Sequence, residues 1–185
     1  MKRKKNKKIW DALTQKNSDY LVQAGWFEES KYKNGVSIGG IAAVQNYGSV
    51  IHQSVTEKQR AYLHYQGIHL KESTKDLHIV IPPTHFWEAA QDKNKTKWRG
   101  LFKDAWASVF LGNIEPDKAM EQIAMAIEGD IAKEIAAVNS PPLAESTIKA
   151  KLNPYKDQKT VGNLKKRLVN TGQMLDALSH KVTKK

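Results

Sequence analysis

Six histidines, at positions 52, 64, 69, 78, 85 and 180, are the residues of this chain best suited to hold a metal or move a proton. None forms a metal-ligand pair at helical spacing within a carboxylate motif, and a zinc site needs several ligands to converge. His64 and His78 fall on segments that read as strands, where edge or half-buried positions are the ordinary outcome. The serines lie outside any G-x-S-x-G elbow, no G-x-x-x-x-G-K-[ST] phosphate loop is present, and Gly35, Gly39 and Gly40 do not match a dinucleotide fingerprint. Glu28-Glu29 and the pair Asp130 and Glu134 read as solvated faces. The chain has no cysteine, so thiolate ligands, cysteine nucleophiles and disulfide frameworks are excluded. These residue types point away from an enzyme and imply no cofactor and no metal. A hydrolase would require His64, His69 or His78 to meet an acid in a cleft.

Charge and tryptophan are more informative. The net charge of +11 is concentrated at the two ends: residues 1–8 hold six cations and no anion, and residues 149–185 hold ten cations against two anions. Between them, 14 cations face 17 anions. A fold that grips DNA with its main surface concentrates cations in its structured elements, whereas here the excess lies in an arm and a C-terminal segment. Lys2, Arg3, Lys4, Lys5, Lys7, Lys8, Lys165, Lys166 and Arg167 are therefore candidate contacts to DNA or to a partner protein. Trp10, beside the basic arm, is the candidate interface tryptophan. Trp87, Trp98 and Trp106 recur on one helical stripe and read as core.

The elements that must position these residues are legible from periodicity. Residues 1–18 form a like-charge block with little to bury, which predicts a flexible basic arm; residues 19–185 follow as a single α+β domain with a basic C-terminal segment. Residues 19–28 have strand composition, and Ser37 precedes a short helix that ends at Gly48. Residues 61–69 and 76–81 alternate and predict two more strands, with Lys71-Glu72-Ser73-Thr74-Lys75-Asp76 between them as the turn. Together they imply a small antiparallel sheet. Pro82-Pro83 stops the last strand. A long amphipathic helix over residues 84–111 follows, with an interruption expected near residues 93–97. Gly112-Asn113 ends it, and Pro116 starts a second stripe that runs to Asn139, so the pair predicts a helical hairpin packed with the sheet. One or two helical turns are expected over residues 145–152, a polar loop over 153–165, and a last helix over 169–182 capped by Asn170 or Thr171. No apolar run approaches the ~20 residues that span a bilayer, and no apolar segment follows the basic N-terminus, which predicts a soluble protein made in a cytoplasm.

Four segments, in order, resemble the virion-morphogenesis family of tailed phages and prophages. They are Ala24-Gly25-Trp26-Phe27-Glu28; Ile41-Ala42-Ala43-Val44-Gln45-Asn46-Tyr47-Gly48; Ile81-Pro82-Pro83-Thr84-His85-Phe86; and Ser140-Pro141-Pro142-Leu143 with Leu168-Val169-Asn170-Thr171-Gly172-Gln173-Met174-Leu175. Thr84-His85 stands where that family often has Arg-Pro, and Asn170 where it usually has Asp. The resemblance implies a non-enzymatic structural protein of the neck or tail completion, located in the virion and made in the host cytoplasm. It implies rings, commonly of six subunits, at the head-tail junction or tail end. The implied partners are copies of the chain itself, the head-tail connector, and tail tube or tail terminator proteins, with DNA in the channel a further contact and no membrane. A closed ring needs two different complementary patches on each subunit; strand edges, the exposed part of the helical hairpin and the basic termini are the candidates. The alternative function is a non-specific DNA-binding accessory protein, whose duplex affinity would fall steeply with salt until residues 1–8 were deleted.

Overall fold

The two longest apolar stripes become the two longest helices. In a computed structural model, which describes residues 20–65, 67–152, 167–168 and 172–184, the element order is β1 (Tyr20–Gly25), α1 (Ile38–Tyr47), β2 (Ser49–Ser54), α2 (Glu57–Tyr65), β3 (Asp76–Ile81), α3 (Phe86–Phe110), α4 (Pro116–Ala137), α5 (Glu145–Leu152), α6 (Gln173–Asp176) and β4 (Ser179–Lys184). The protein is α+β, with two small two-stranded antiparallel sheets, β1-β4 and β2-β3, and a long helical hairpin of α3 and α4. No helix among the described residues is long and apolar enough to cross a membrane.

The described residues form two compact units, the first within Met1–Gly25, Lys93–Asp130 and Ser179–Lys185 and the second within Trp26–Asp92 and Ile131–Leu178. In the first unit, Trp106 of α3 packs with Ala119, Met120 and Ile123 of α4 in a buried cluster. Leu101, Phe102, Ala105, Val109, Ile114 and Ile127 extend it, and Tyr20 and Val22 of β1 with Val182 of β4 join it from the sheet. Tyr20 donates its hydroxyl to Asp117 Oδ1 at 2.5 Å and meets Trp106 edge-on. The hairpin turn is closed by local chemistry. Gly112, at φ 74, donates to the Val109 carbonyl and Asn113 to that of Ser108. This pair of bonds satisfies the last carbonyls of α3 and needs a residue in the left-handed region.

No interruption occurs in α3 near residues 93–97. The polar stretch there carries its own compensation: Lys97 donates to both carboxylate oxygens of Asp130 at 2.7 Å, and the Trp98 indole donates to Asp130 Oδ2 at 2.9 Å. Asp130 is buried and so needs this pairing.

In the second unit, Ser37 caps α1 by accepting from the Gly40 amide at 3.2 Å, and Gly48 at φ 79 ends it. Asn34-Gly35 makes the preceding turn, with Gly35 donating to the Tyr32 carbonyl. The strand expected over residues 61–69 is instead the end of helix α2. Thr56 and Gln59 form a reciprocal box, in which the Gln59 amide N–H donates to Thr56 Oγ1 at 3.2 Å and the Thr56 N–H to Gln59 Oε1 at 3.0 Å. Such a box nucleates a helix start. Gly67 and Ile68 close the other end by donating to the His64 and Leu63 carbonyls. The strand partner of β3 is accordingly β2, in register from Ser49 with Ile81 to Ser54 with Asp76.

The single helix expected over residues 169–182 resolves into two elements within its described part. The short helix α6 has Gly172 as its N-cap, and β4 pairs with β1 from Tyr20 with Lys184 to Gly25 with Ser179. Asn170 and Thr171 lie outside the described residues, as do the arm over residues 1–18 and the loop expected over residues 153–165.

Candidate functional site

The segments that carry the family resemblance meet in the second unit. Trp26 donates its indole N–H to the Met174 carbonyl at 2.8 Å, joining the first segment to the last across 148 residues. Its ring also stands edge-on to Phe86 at 6.2 Å and tilted to Trp87 at 6.3 Å. Phe86 is buried at the start of α3.

Asn46, 2% exposed at the end of α1, holds that start. Its Oδ1 accepts from the Trp87 amide at 2.9 Å, and its Nδ2 donates to Glu88 Oε2 at 2.9 Å. Its backbone carbonyl accepts from the amides of Thr84 and His85. The first amides of a helix have no partner within the helix; here a side chain from another element supplies one. Desolvation pushes the Glu88 carboxyl upward, but bonds from Asn46, its own backbone N–H and Tyr47, with the field of His85, outweigh it and leave the group below its ordinary value. His85 takes φ 52, a conformation uncommon for a side chain of its size.

Arg167 ties the remaining segments together. Its Nη2 donates to the Pro82 carbonyl at 2.5 Å and its Nη1 to the Pro141 carbonyl at 3.0 Å. One guanidinium thus bridges the proline stop after β3 and the Ser140-Pro141-Pro142-Leu143 connector. Burial draws the Arg167 guanidinium below its ordinary value. Arg167 is the member of the sequence-derived contact set that falls within the described residues; Lys2, Arg3, Lys4, Lys5, Lys7, Lys8, Trp10, Lys165 and Lys166 lie outside them.

No family model, curated protein or solved structure matches this chain.

The histidines pair with one another more than with acids. His52 and His78 stack at 4.4 Å between ring centroids, and His64 Nδ1 lies 2.9 Å from His69 Nδ1 on an exposed surface. Among the described residues, no group of three or more histidine, aspartate or glutamate side chains is arranged to hold a metal. His180, which spacing does not single out, faces two carboxylates. His180 of β4 places Nδ1 2.5 Å from Glu128 Oε2 and Nε2 2.8 Å from Glu121 Oε1. Glu121 and Glu128 stand seven residues apart on α4, on one helical face, but the strand that brings His180 to them pairs only at long range.

Both ring nitrogens of His180 face carboxylate oxygens, and only the imidazolium can donate from both. The Glu128 bond raises its pKa, desolvation opposes this, and Glu121 adds to the rise. A group raised on folding contributes its full stabilisation below the unfolded pKa and loses it as pH rises through the folded one. Unit-one stability is therefore expected to decline as pH is raised through the elevated imidazole pKa. Glu128→Gln should return that pKa toward ordinary imidazole by more than Glu121→Gln does, read by NMR titration of the ring. An unchanged titration in both variants would contradict the assignment.

The β2-β3 ribbon carries exposed apolar side chains on both faces. Val50 pairs with Val80 on one face and Ile51 with Ile79 on the other, and all four are 40–58% exposed. In the first unit, Phe110 and Leu111 are exposed at the hairpin turn. Contiguous apolar surface of this kind marks interaction sites more often than isolated exposed residues do.

Proposed function

We propose that this chain is a structural virion protein of a tailed phage or prophage, a neck or tail-completion component. It forms a ring with copies of itself at the head-tail junction or tail end, and it contacts the connector and tail tube or terminator proteins. The observation that carries this reading is the convergence of four sequence-distant segments. Trp26 reaches Met174 and Phe86, Asn46 caps the helix at Trp87, and Arg167 joins Pro82 to Pro141. The residues that resemble the family are thus those that hold one unit together. They serve as scaffold, which leaves the working surface to be sought elsewhere.

Exposed apolar surface supports the same reading. A two-stranded ribbon is marginal by itself in water, and one with Val50, Ile51, Ile79 and Val80 exposed gains by being covered. A closed ring needs unlike patches on each subunit; the ribbon and the Phe110-Leu111 turn are two. Cations on an inner wall would bind DNA phosphates without reading sequence, which is the role this reading gives the basic ends. The test is whether the purified chain sediments with phage heads or tails after mixing. Association is expected, and a chain that stays at the top of the gradient with both would contradict the proposal.

A further inference from the structure

The C-terminal end of α2 brings two imidazoles together. Ile68 donates its N–H to the Leu63 carbonyl at 2.8 Å and Gly67 donates to that of His64 at 2.9 Å, with Gly67 at φ 77. These are the paired bonds of a helix cap that depends on a residue in the left-handed region. The cap turns the chain back on the helix, so that His69 meets His64, the basic residue of the last turn. Both rings are exposed, and Nδ1 of one lies 2.9 Å from Nδ1 of the other. The ring centroids are 4.5 Å apart and the planes cross at 74°. A neutral imidazole carries hydrogen on one nitrogen and a lone pair on the other, so one Nδ1 donates here and its neighbour accepts. A metal ion can replace that hydrogen and take both lone pairs, once the donating ring carries its hydrogen on Nε2 instead.

Two geometric features suit this pair to one ion. The nitrogen lone pair lies in the plane of its ring, so a single ion binds two imidazoles only where the two planes intersect. Planes that cross at 74° do so, whereas the His52 and His78 rings, stacked within 14° of parallel, do not converge. The second feature is the bite. With metal–nitrogen bonds of about 2.0–2.1 Å, two ligands at a right angle stand about 2.9 Å apart and two in a tetrahedron about 3.3 Å apart. The separation of 2.9 Å between His64 and His69 matches the right angle. Square-planar and tetragonal nitrogen sites select copper(II) or nickel(II), and copper(II) binds the more tightly of the two. The negative end of the α2 dipole also favours a cation at this position.

We propose that His64 and His69 form a two-nitrogen binding site for a tetragonal divalent cation of the copper(II) class, with water in the remaining positions. The inference is independent of the virion reading. The test titrates the full chain with copper(II) supplied as its glycine complex, so that sites weaker than the competitor stay empty, and follows the ion by electron paramagnetic resonance. One copper per chain is expected, with a tetragonal spectrum coupled to two imidazole nitrogens. His64→Ala and His69→Ala should each weaken binding by at least about tenfold, because each removes one arm of a chelate. Gly67→Pro keeps both imidazoles but removes the N–H to the His64 carbonyl and the positive φ; it should weaken binding comparably while the Trp26 indole N–H resonance stays at its folded position. The double variant His52→Ala and His78→Ala should bind copper as the natural chain does. A spectrum with fewer than two coupled nitrogens, undiminished binding by His64→Ala, His69→Ala or Gly67→Pro, or an equal loss in the His52 and His78 double variant would overturn the proposal.

Discussion

Phe86→Ala is expected to destabilise the protein by about 3–5 kcal/mol, the usual loss when a buried phenylalanine is cut back to alanine. Phe86 is 1% exposed at the first position of α3 and stands edge-on to Trp26. The variant loses its own transfer free energy and leaves a cavity beside the indole that holds Met174. The backbone around it is fixed by Asn46, Thr84 and His85, which restricts how far the site can collapse. Urea unfolding should show a lower midpoint with an unchanged slope. Phe110→Ala, at the exposed hairpin turn, is the control and should move stability by no more than about 0.5 kcal/mol. A Phe86→Ala loss as small as that of the control would place Phe86 outside the core.

Gly48→Ala is expected to lower stability by about 2–4 kcal/mol, combining backbone strain with a steric conflict. Gly48 sits at φ 79 and ψ 169, a region that is essentially glycine-only. An added Cβ would lie 2.8 Å from the Ile81 carbonyl oxygen and 3.0 Å from the Pro83 nitrogen and Cδ. The first obstacle is the last carbonyl of β3 and the others are the nitrogen and ring of Pro83, so none can yield as a flexible side chain would. Gly35→Ala makes the comparison: φ is also positive at 82, but no atom lies within 4 Å of the new Cβ, and its cost should be about 1 kcal/mol. Equal effects at the two positions, read by thermal or urea unfolding, would rule out the steric contribution at Gly48.

Local signals in the sequence were strong wherever an element carried its own cap and period. Ser37 and Gly48 bound α1, and Gly112-Asn113 with Pro116 define the hairpin turn. The spacing from Phe86 to Phe110 reads as a helix despite its lysine-rich middle, although nothing local announces that Asp130, on the next helix, receives Lys97 and Trp98. The misreadings arose where periodicity competed with other chemistry. Residues 61–69 alternate like a strand, but the Thr56 and Gln59 box starts a helix upstream that carries to Tyr65. Leu175, Leu178 and Val182 recur at helical spacing, yet Val182 is a strand residue opposite Val22. That pairing spans almost the whole chain, and no local pattern encodes it. Strand β2 gave little composition signal because its residues are mostly exposed on both faces.

The candidate site was legible in part. Asn46, Pro82, Pro141 and Arg167 all stood in or beside segments singled out by resemblance or charge, but their mutual contacts depend on the tertiary fold. Charge alone reads Arg167 as a contact to DNA or a partner protein; in the structure its Nη groups are bonded to carbonyls and its Nε is buried. A cation beside Lys165 and Lys166 carries no sign in sequence of which member of the cluster turns inward. The His180, Glu121 and Glu128 cluster needed β4 to be placed before it could be seen.

The most direct test of the proposed assembly role is sedimentation of the purified chain, alone and after mixing with phage heads or tails, comparing the natural protein with Val80→Lys. The natural chain is expected to move into the particle fraction, or to sediment alone as an oligomer, and a lysine on the exposed ribbon face should weaken this without unfolding the subunit. A chain that remains monomeric under every condition and is absent from the particle fraction would contradict it.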